Sequence, residues 1–192
     1  VYLMLPLQDK TTFILGNGAD LPIEHLSMLD PYFTLGVNRI HKWYQPDAVC
    51  YIDGNLYMEN PEFFQETLCF TDSSMKCHPN QIGLGISHSS YASKYLNPNR
   101  IYMFPNSGVI AALLAMALGA KPVILLGMGA ADDGRLPNQL EAMRAAMSTL
   151  KANYEVWQWK EENFEKNIRH HSLREVGDKA EIEKAIRAFY RE

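Results

Sequence analysis

Cysteine is scarce in this chain. Cys50, Cys69 and Cys77 are its three, an odd number without paired spacing. That excludes a disulfide framework and points to reduced thiols in a cytoplasm-like compartment. No apolar run is long enough to span a bilayer, and the first residues lack a basic stretch leading into a signal core, so neither a membrane span nor a secretory signal is expected. Positive charge is not in excess: 18 Lys and Arg against 22 Asp and Glu leave a net charge of -4, which argues against a nucleic-acid partner. Repeats, low-complexity tracts and linkers are absent too. What remains is an ordinary globular composition, 47% hydrophobic and 21% charged over 192 residues, enough for one domain (1–192) with a real core.

The most informative stretch is TTFILGNGADLPIEHLSML, from Thr11 to Leu29. Residues 12–15 form a short apolar run of the kind that suits a strand buried on both faces. Gly16-Asn17-Gly18 then breaks it with residues that permit positive φ and close approach of a ligand to the backbone. Asp20 is placed to cap a following helix, Pro22 fits its first turn, and Ile23, Leu26 and Leu29 make its apolar stripe. A strand turning through glycines into a helix N-terminus is a ready phosphate site. The same pattern also serves as a tight connection without a ligand.

Further along, strands are predicted at 33–37, 48–52, 67–70, 101–104, 122–126 and 154–157, with an edge strand over 2–5 in the lead-in. Two of them end on polar residues, Asn38 and Asp53, each readable as ligand contact or as turn and cap. Residues 61–66 predict a short helix. Residues 71–99, rich in Ser, His, Asn and Gly, read as an irregular segment, a length usually tied to function or mobility. Its His78 and His88 are acid–base candidates, and Cys77-His78 is a metal-type pair with no second pair to complete it. Asn106-Ser107-Gly108 opens a run, 109–118, that is apolar on every side and so predicts a buried helix, capped by Ser107 and stopped by Gly119. Gly127-Met128-Gly129 ends the next strand in a second glycine turn, followed by Asp132 and Asp133. Helices are predicted over 137–151 and 178–190, and 161–175 reads as a solvated helix or a charged lid.

Alternating strands and helices imply an α/β fold: a Rossmann-like three-layer α/β/α arrangement around a mainly parallel central sheet. Such sheets bind ligands at the carboxyl ends of their strands, near the reversal of strand order. That edge would gather Gly16, Asn17, Gly18, Asp20, Asn38, Asp53, Asn106, Ser107, Gly108 and Gly127.

The segments ILGNGADL, TLGVNRI, PDAVCYID and NSGVIAALLAMALGAKPVILLGMG, in this order over roughly residues 11–130, resemble a broad Rossmann-like group. It comprises the archaeal 6-hydroxymethylpterin diphosphokinases (MptE-like proteins), the motility-associated flagellin-modifying proteins and the bacterial sialyltransferases that use CMP-sialic acid. In that group a GNGPS loop, an asparagine after the second strand and an SG pair at the buried helix border the nucleotide site. The resemblance implies those roles for Gly16 to Asp20, Asn38, Ser107 and Gly108, and it aligns Asp53 with an aspartate ending the third strand in the MptE-like branch. The chain departs from the group in three places. Only about a dozen residues separate Gly127 from the next predicted helix, too few for the long lid with a histidine base and leaving-group tyrosines that the sialyltransferases insert there. Ala19-Asp20 replaces Pro-Ser, and Gly127-Met128-Gly129 replaces a G-x-D whose acid only Asp132 or Asp133 could supply.

The expected function is therefore a transferase that binds a nucleotide or nucleotide-sugar, glycosyltransferase-like and of the CMP-sugar class. Asp53, His78 or His88 would be its base, and Asn17, Ser107 and the helix N-termini would hold phosphate. One alternative is a diphosphokinase with Mg²⁺ on Asp53 and Asp132 or Asp133. Another is a non-catalytic nucleotide-binding or assembly protein.

Overall fold

A computed structural model of the chain describes residues 4–88, 97–103, 107–128, 144, 145, 148, 150, 151, 154–170 and 178–191. Eight strands form its sheet: β1 (Thr12–Leu15), β2 (Phe33–Val37), β3 (Ala48–Cys50), β4 (Leu68–Asp72), β5 (Gln81–His88), β6 (Arg100–Met103), β7 (Val123–Leu126) and β8 (Val156–Gln158). Their order is β6-β5-β4-β3-β2-β1-β7-β8, and every neighbouring pair is parallel. The chain lays β2 to β6 out on one side of β1, then returns to place β7 and β8 on the other. Strand order thus reverses at β1.

Burial on both faces explains why the central strands are apolar runs rather than alternating ones. Ile14, Leu35, Cys50, Phe70 and Leu125 point to one face. There they meet helix α3 (Ser107–Ala117) and, from the helix Lys179–Phe189, Ile182 and Ile186. Phe13, Leu15, Val49, Tyr51 and Ile124 point to the other. That face is covered by the 3-10 helix Ile23–Leu29, α1 (Gly54–Glu59), α2 (Pro61–Glu66) and the helix Glu161–His170, through Leu26, Leu56, Phe64 and Phe164. This is a three-layer, Rossmann-like α/β/α fold. Among the described residues no helix is long and apolar enough to cross a membrane.

Every residue of α3 is buried, as its unbroken apolar character requires, and it packs on β1, β2, β3, β6 and β7. It stops in a Schellman motif: Ala120 N–H donates to Ala115 and Gly119 N–H to Met116, both at 3.0 Å, with Gly119 at φ +96°. The lead-in latches onto this end, Leu7 N–H donating to the Leu118 carbonyl and Asp9 N–H to that of Gly119, both at 2.9 Å. Of the edge strand expected at 2–5, Met4 and Leu5 are described and neither is extended into the sheet.

Several expectations need correction. The segment predicted as irregular, 71–99, contains β5. Its side-chain pattern is masked by Gly83, which lets Ser73 cross the strand so closely that a Cβ would stand 3.0 Å from the Ser73 Cα, while Ser73 Oγ donates to the Leu84 carbonyl. The third strand stops at Cys50, short of the predicted 52. The element after β1 is a seven-residue 3-10 helix preceded by Pro22, with no side-chain cap, so Asp20 does not cap it. The short helix at 61–66 lies where predicted. Of the helix predicted over 137–151, the described residues 144, 145, 148, 150 and 151 are helical.

Candidate functional site at the carboxyl edge of the sheet

The loops leaving β1 and β7 stand side by side where strand order reverses. Gly16 N–H donates to the Leu126 carbonyl at 2.8 Å and Gly18 N–H to that of Gly127 at 2.7 Å. A Cβ on Gly18 would lie 2.6 Å from the Gly127 oxygen, and one on Gly127, itself at φ +64°, 2.6 Å from the Gly16 oxygen. These three glycines let two backbones touch. The Gly16 and Gly18 amides are committed to that contact, while those of Asn17 and Ala19 meet no acceptor among the described residues. Asp20 folds back on the same loop, its Oδ1 2.9 Å from where a Gly18 Cβ would be.

Asn17 ties this loop to the next. Its Nδ2 donates to the Val37 carbonyl and its Oδ1 accepts the Arg39 N–H, both at 2.9 Å. Between those two partners sits Asn38, left-handed at φ +52°, its N–H donating to the Cys50 carbonyl at 3.2 Å. The Asn38 Oδ1 is shut off from solvent and meets no donor among the described residues. A buried acceptor without a partner typically costs about 1–3 kcal/mol, so one held at a sheet edge signals a missing donor.

Arg39 reaches across to α1 and pairs in two-pronged fashion with Glu59, Nε–Oε2 at 2.8 Å and Nη2–Oε1 at 2.6 Å. That hydrogen bonding raises the guanidinium pKa and lowers that of the carboxyl, and the nearby charge of Asp53 adds to the first shift. Asp53 caps α1, Oδ1 accepting the Asn55 N–H at 3.0 Å, and is exposed. Behind them His41 lies 4.6 Å from the Phe63 ring, its buried Nδ1 without a hydrogen-bond partner among the described residues. Burial, then the charge of Lys42, lowers its pKa.

The N-terminus of α3 reaches this edge as well, because β6 ends there and α3 runs back antiparallel to the strands. Ser107, 7% exposed, and Gly108 form its first turn. The edge therefore brings together Gly16, Asn17, Gly18, Asp20, Asn38, Asp53, Ser107, Gly108 and Gly127. By its backbone His88 also belongs here, as the last residue of β5, though its side chain lies outside the described residues. Asn106, Asp132 and Asp133 lie outside them altogether. His78 is not brought here: it sits at the opposite edge, leading into β5, where its carbonyl accepts the Gln81 N–H and its Nδ1 the Asn80 N–H. Among the described residues no group of three His, Cys, Asp or Glu could hold a metal ion, and Asp53 has no partner ligand there.

Neither the family models nor the curated proteins compared with this chain give a match.

The buried thiols take no part. Cys50 and Cys69 are free, and burial pushes the Cys50 pKa up to about 12 and that of Cys69 higher still, so both stay protonated. Sequence reading missed Arg39, Glu59 and His41. Arg39 follows Asn38 directly, which was the available signal, but its partner Glu59 lies 20 residues on, in a helix with no periodic pattern to announce it.

Proposed function

We propose that the carboxyl edge of the sheet binds a nucleotide or nucleotide-sugar and that the protein is a transferase acting on it, of the glycosyltransferase-like class using CMP-sugars. The observation that carries the reading is the stranded Asn38 Oδ1. Turned outward by a rotation of its side chain, that oxygen accepts an N–H or O–H donor, which a ribose hydroxyl or a base amine supplies and a bare phosphate does not. The phosphate falls to the N-terminus of α3, where the helix dipole favours an anion. The 3-10 helix after β1 is too short, and too close to Pro22, to serve in the same way.

In transfer from such a donor, an acceptor hydroxyl attacks the sugar carbon, the carbon–oxygen bond to phosphate breaks, and the hydroxyl proton goes to a base. Asp53 supports that role: beyond the oxygen that caps α1 it keeps a second one without a partner among the described residues. A specific observation favours a second, non-catalytic reading. The Gly16 and Gly18 amides, the Asn17 side chain and the Asp53 cap are all accounted for by holding loops and helix together.

The test is calorimetry and thermal shift with CMP, CMP-sialic acid and ATP, with and without Mg²⁺, on wild type and Asn38→Ala. A cytidine nucleotide bound by the wild type and weakened about tenfold in the variant is the expected result. Release of CMP in the presence of an acceptor separates the transferase from the binding-only protein. ATP binding that needs Mg²⁺ would instead favour the diphosphokinase, and no nucleotide bound at all would refute the reading.

A further inference from the structure

At the opposite edge of the sheet, a cleft of about 690 Å³ opens between the β4–β5 connection and the end of the helix Lys179–Phe189. Three cations line it, Lys76, Arg187 and Arg191, beside the amide-bearing Asn80, Gln81 and Asn99. Among the described residues no carboxylate lines it, and Glu183, of opposite sign, pairs with Arg187. In a chain of net charge -4 this is a local reversal of sign.

Arg187 is held rigidly. Its Nε and Nη2 donate to Glu183 Oε1 at 3.2 and 3.0 Å, and its Nη1 to the Asn80 carbonyl at 2.9 Å. The last bond ties the helix to the loop across the cleft. A guanidinium carries five N–H donors, so two of its own remain available. The Lys76 and Arg191 side chains have no ion-pair or hydrogen-bond partner among the described residues, the Arg191 backbone N–H alone donating to the Ala188 carbonyl at 3.3 Å. Favourable placement at a helix C-terminus accounts for Arg187 and Arg191. It does not account for Lys76, which arrives from the β4–β5 connection to bring a third positive charge to the same cleft.

We propose that this cleft is a second binding site, for a compact polyanion: a phosphorylated or polycarboxylated small molecule held by Lys76, Arg187 and Arg191. Its size falls within the range of small-molecule sites, and an open cleft with only three cations suits a metabolite rather than a nucleic-acid backbone. The site is separate from the carboxyl edge, since β5 begins at the cleft with Gln81 and reaches the other edge at His88. A polyanion there would bridge the loop and the helix, adding to the tie that Arg187 already makes.

The experiment is calorimetry at low salt with pyrophosphate and, separately, citrate, on wild type, Lys76→Ala/Arg191→Ala and Asn38→Ala. Arg187 is left in place because its bonds to Glu183 and Asn80 support the fold. We expect at least one probe to bind, the double variant to weaken it at least tenfold with an unchanged melting temperature in buffer, and Asn38→Ala to leave it unaltered. Loss of one charge-assisted hydrogen bond is on the order of tenfold, so removing two cations gives an ample signal. Which probe binds decides between phosphoryl and carboxylate chemistry. Failure of both to bind, equal affinity in the double variant, or loss of binding in Asn38→Ala would each overturn the proposal. None of these outcomes depends on whether nucleotides bind at the carboxyl edge.

Discussion

Gly18 donates its amide to the carbonyl of Gly127 at 2.7 Å, and no side chain fits on either residue where the two loops meet. The reversal point of the sheet is thus closed by backbone against backbone, with Asn38 and Asp53 at the neighbouring strand ends.

Gly127→Ala should therefore destabilise the protein severely. It places a Cβ 2.6 Å from the Gly16 oxygen and holds alanine at φ +64°, so a loss of roughly 2 kcal/mol or more is expected in urea unfolding. Gly54→Ala is the control. A Cβ there meets nothing within 4 Å at the start of α1, and the exchange should be neutral or stabilise by up to about 1 kcal/mol. Comparable losses at both positions would show that the loop contact is not what the glycines serve.

Asn38→Gly should separate stability from function. Glycine accepts φ +52° without strain and removes the stranded oxygen, so unfolding free energy should hold or rise by about 1 kcal/mol. Nucleotide affinity should fall about tenfold in the same protein. A variant less stable than wild type would mean that the Asn38 side chain supports the fold.

Asp53→Asn keeps a good helix cap while removing the carboxylate. Folding should be unaffected, and transferase turnover should drop on the order of 10²-fold or more, the scale of a lost general base. Asp53→Ala should cost in addition about 1 kcal/mol of stability through the lost bond to Asn55. Full turnover in Asp53→Asn would take Asp53 out of the chemistry.

Among the described residues, His41 and Glu59 contribute to the acid limb of the stability profile. His41 has its folded pKa lowered below the ordinary 6.5, so the unfolded chain takes up the proton first and stability declines as pH falls below about 6.5. Glu59, held low by Arg39, contributes stability above the ordinary 4.5, and that contribution disappears as pH falls further through its folded pKa. Urea midpoints measured from pH 8 to 3 should show His41→Leu flattening the first interval and Glu59→Gln the second. An unchanged profile in both variants would contradict this assignment.

The core offers a simpler check. Leu114 lies fully buried within α3, and Leu114→Ala should cost about 2–5 kcal/mol.

The central strands and α3 were legible because burial on both sides forces unbroken apolar runs, as in Val123–Leu126 and throughout Ser107–Ala117. β5 was hidden: Gly83 replaces the side chain that would reveal a period, and its neighbour across that gap is Ser73 from another segment. At the site, Asn38 and Asp53 could be picked out as polar residues ending strands. The links among them could not. Asn17 bridges to Val37 and Arg39, Arg39 to Glu59, and such contacts between separate segments leave no local periodicity to read.

The place of β1 in the strand order governs how the chain assembles. Thr12–Leu15 pairs with Phe33–Gly36 early in synthesis, but its other side waits for Val123–Leu126. Until β7 emerges, a nascent chain carries β1, buried on both faces in the finished fold, as an open edge, ready to pair with any extended segment nearby. Closing it joins distant parts of the sequence, which delays the centre of this sheet until after β2 to β6 have been made and ties its folding speed to that late, long-range step.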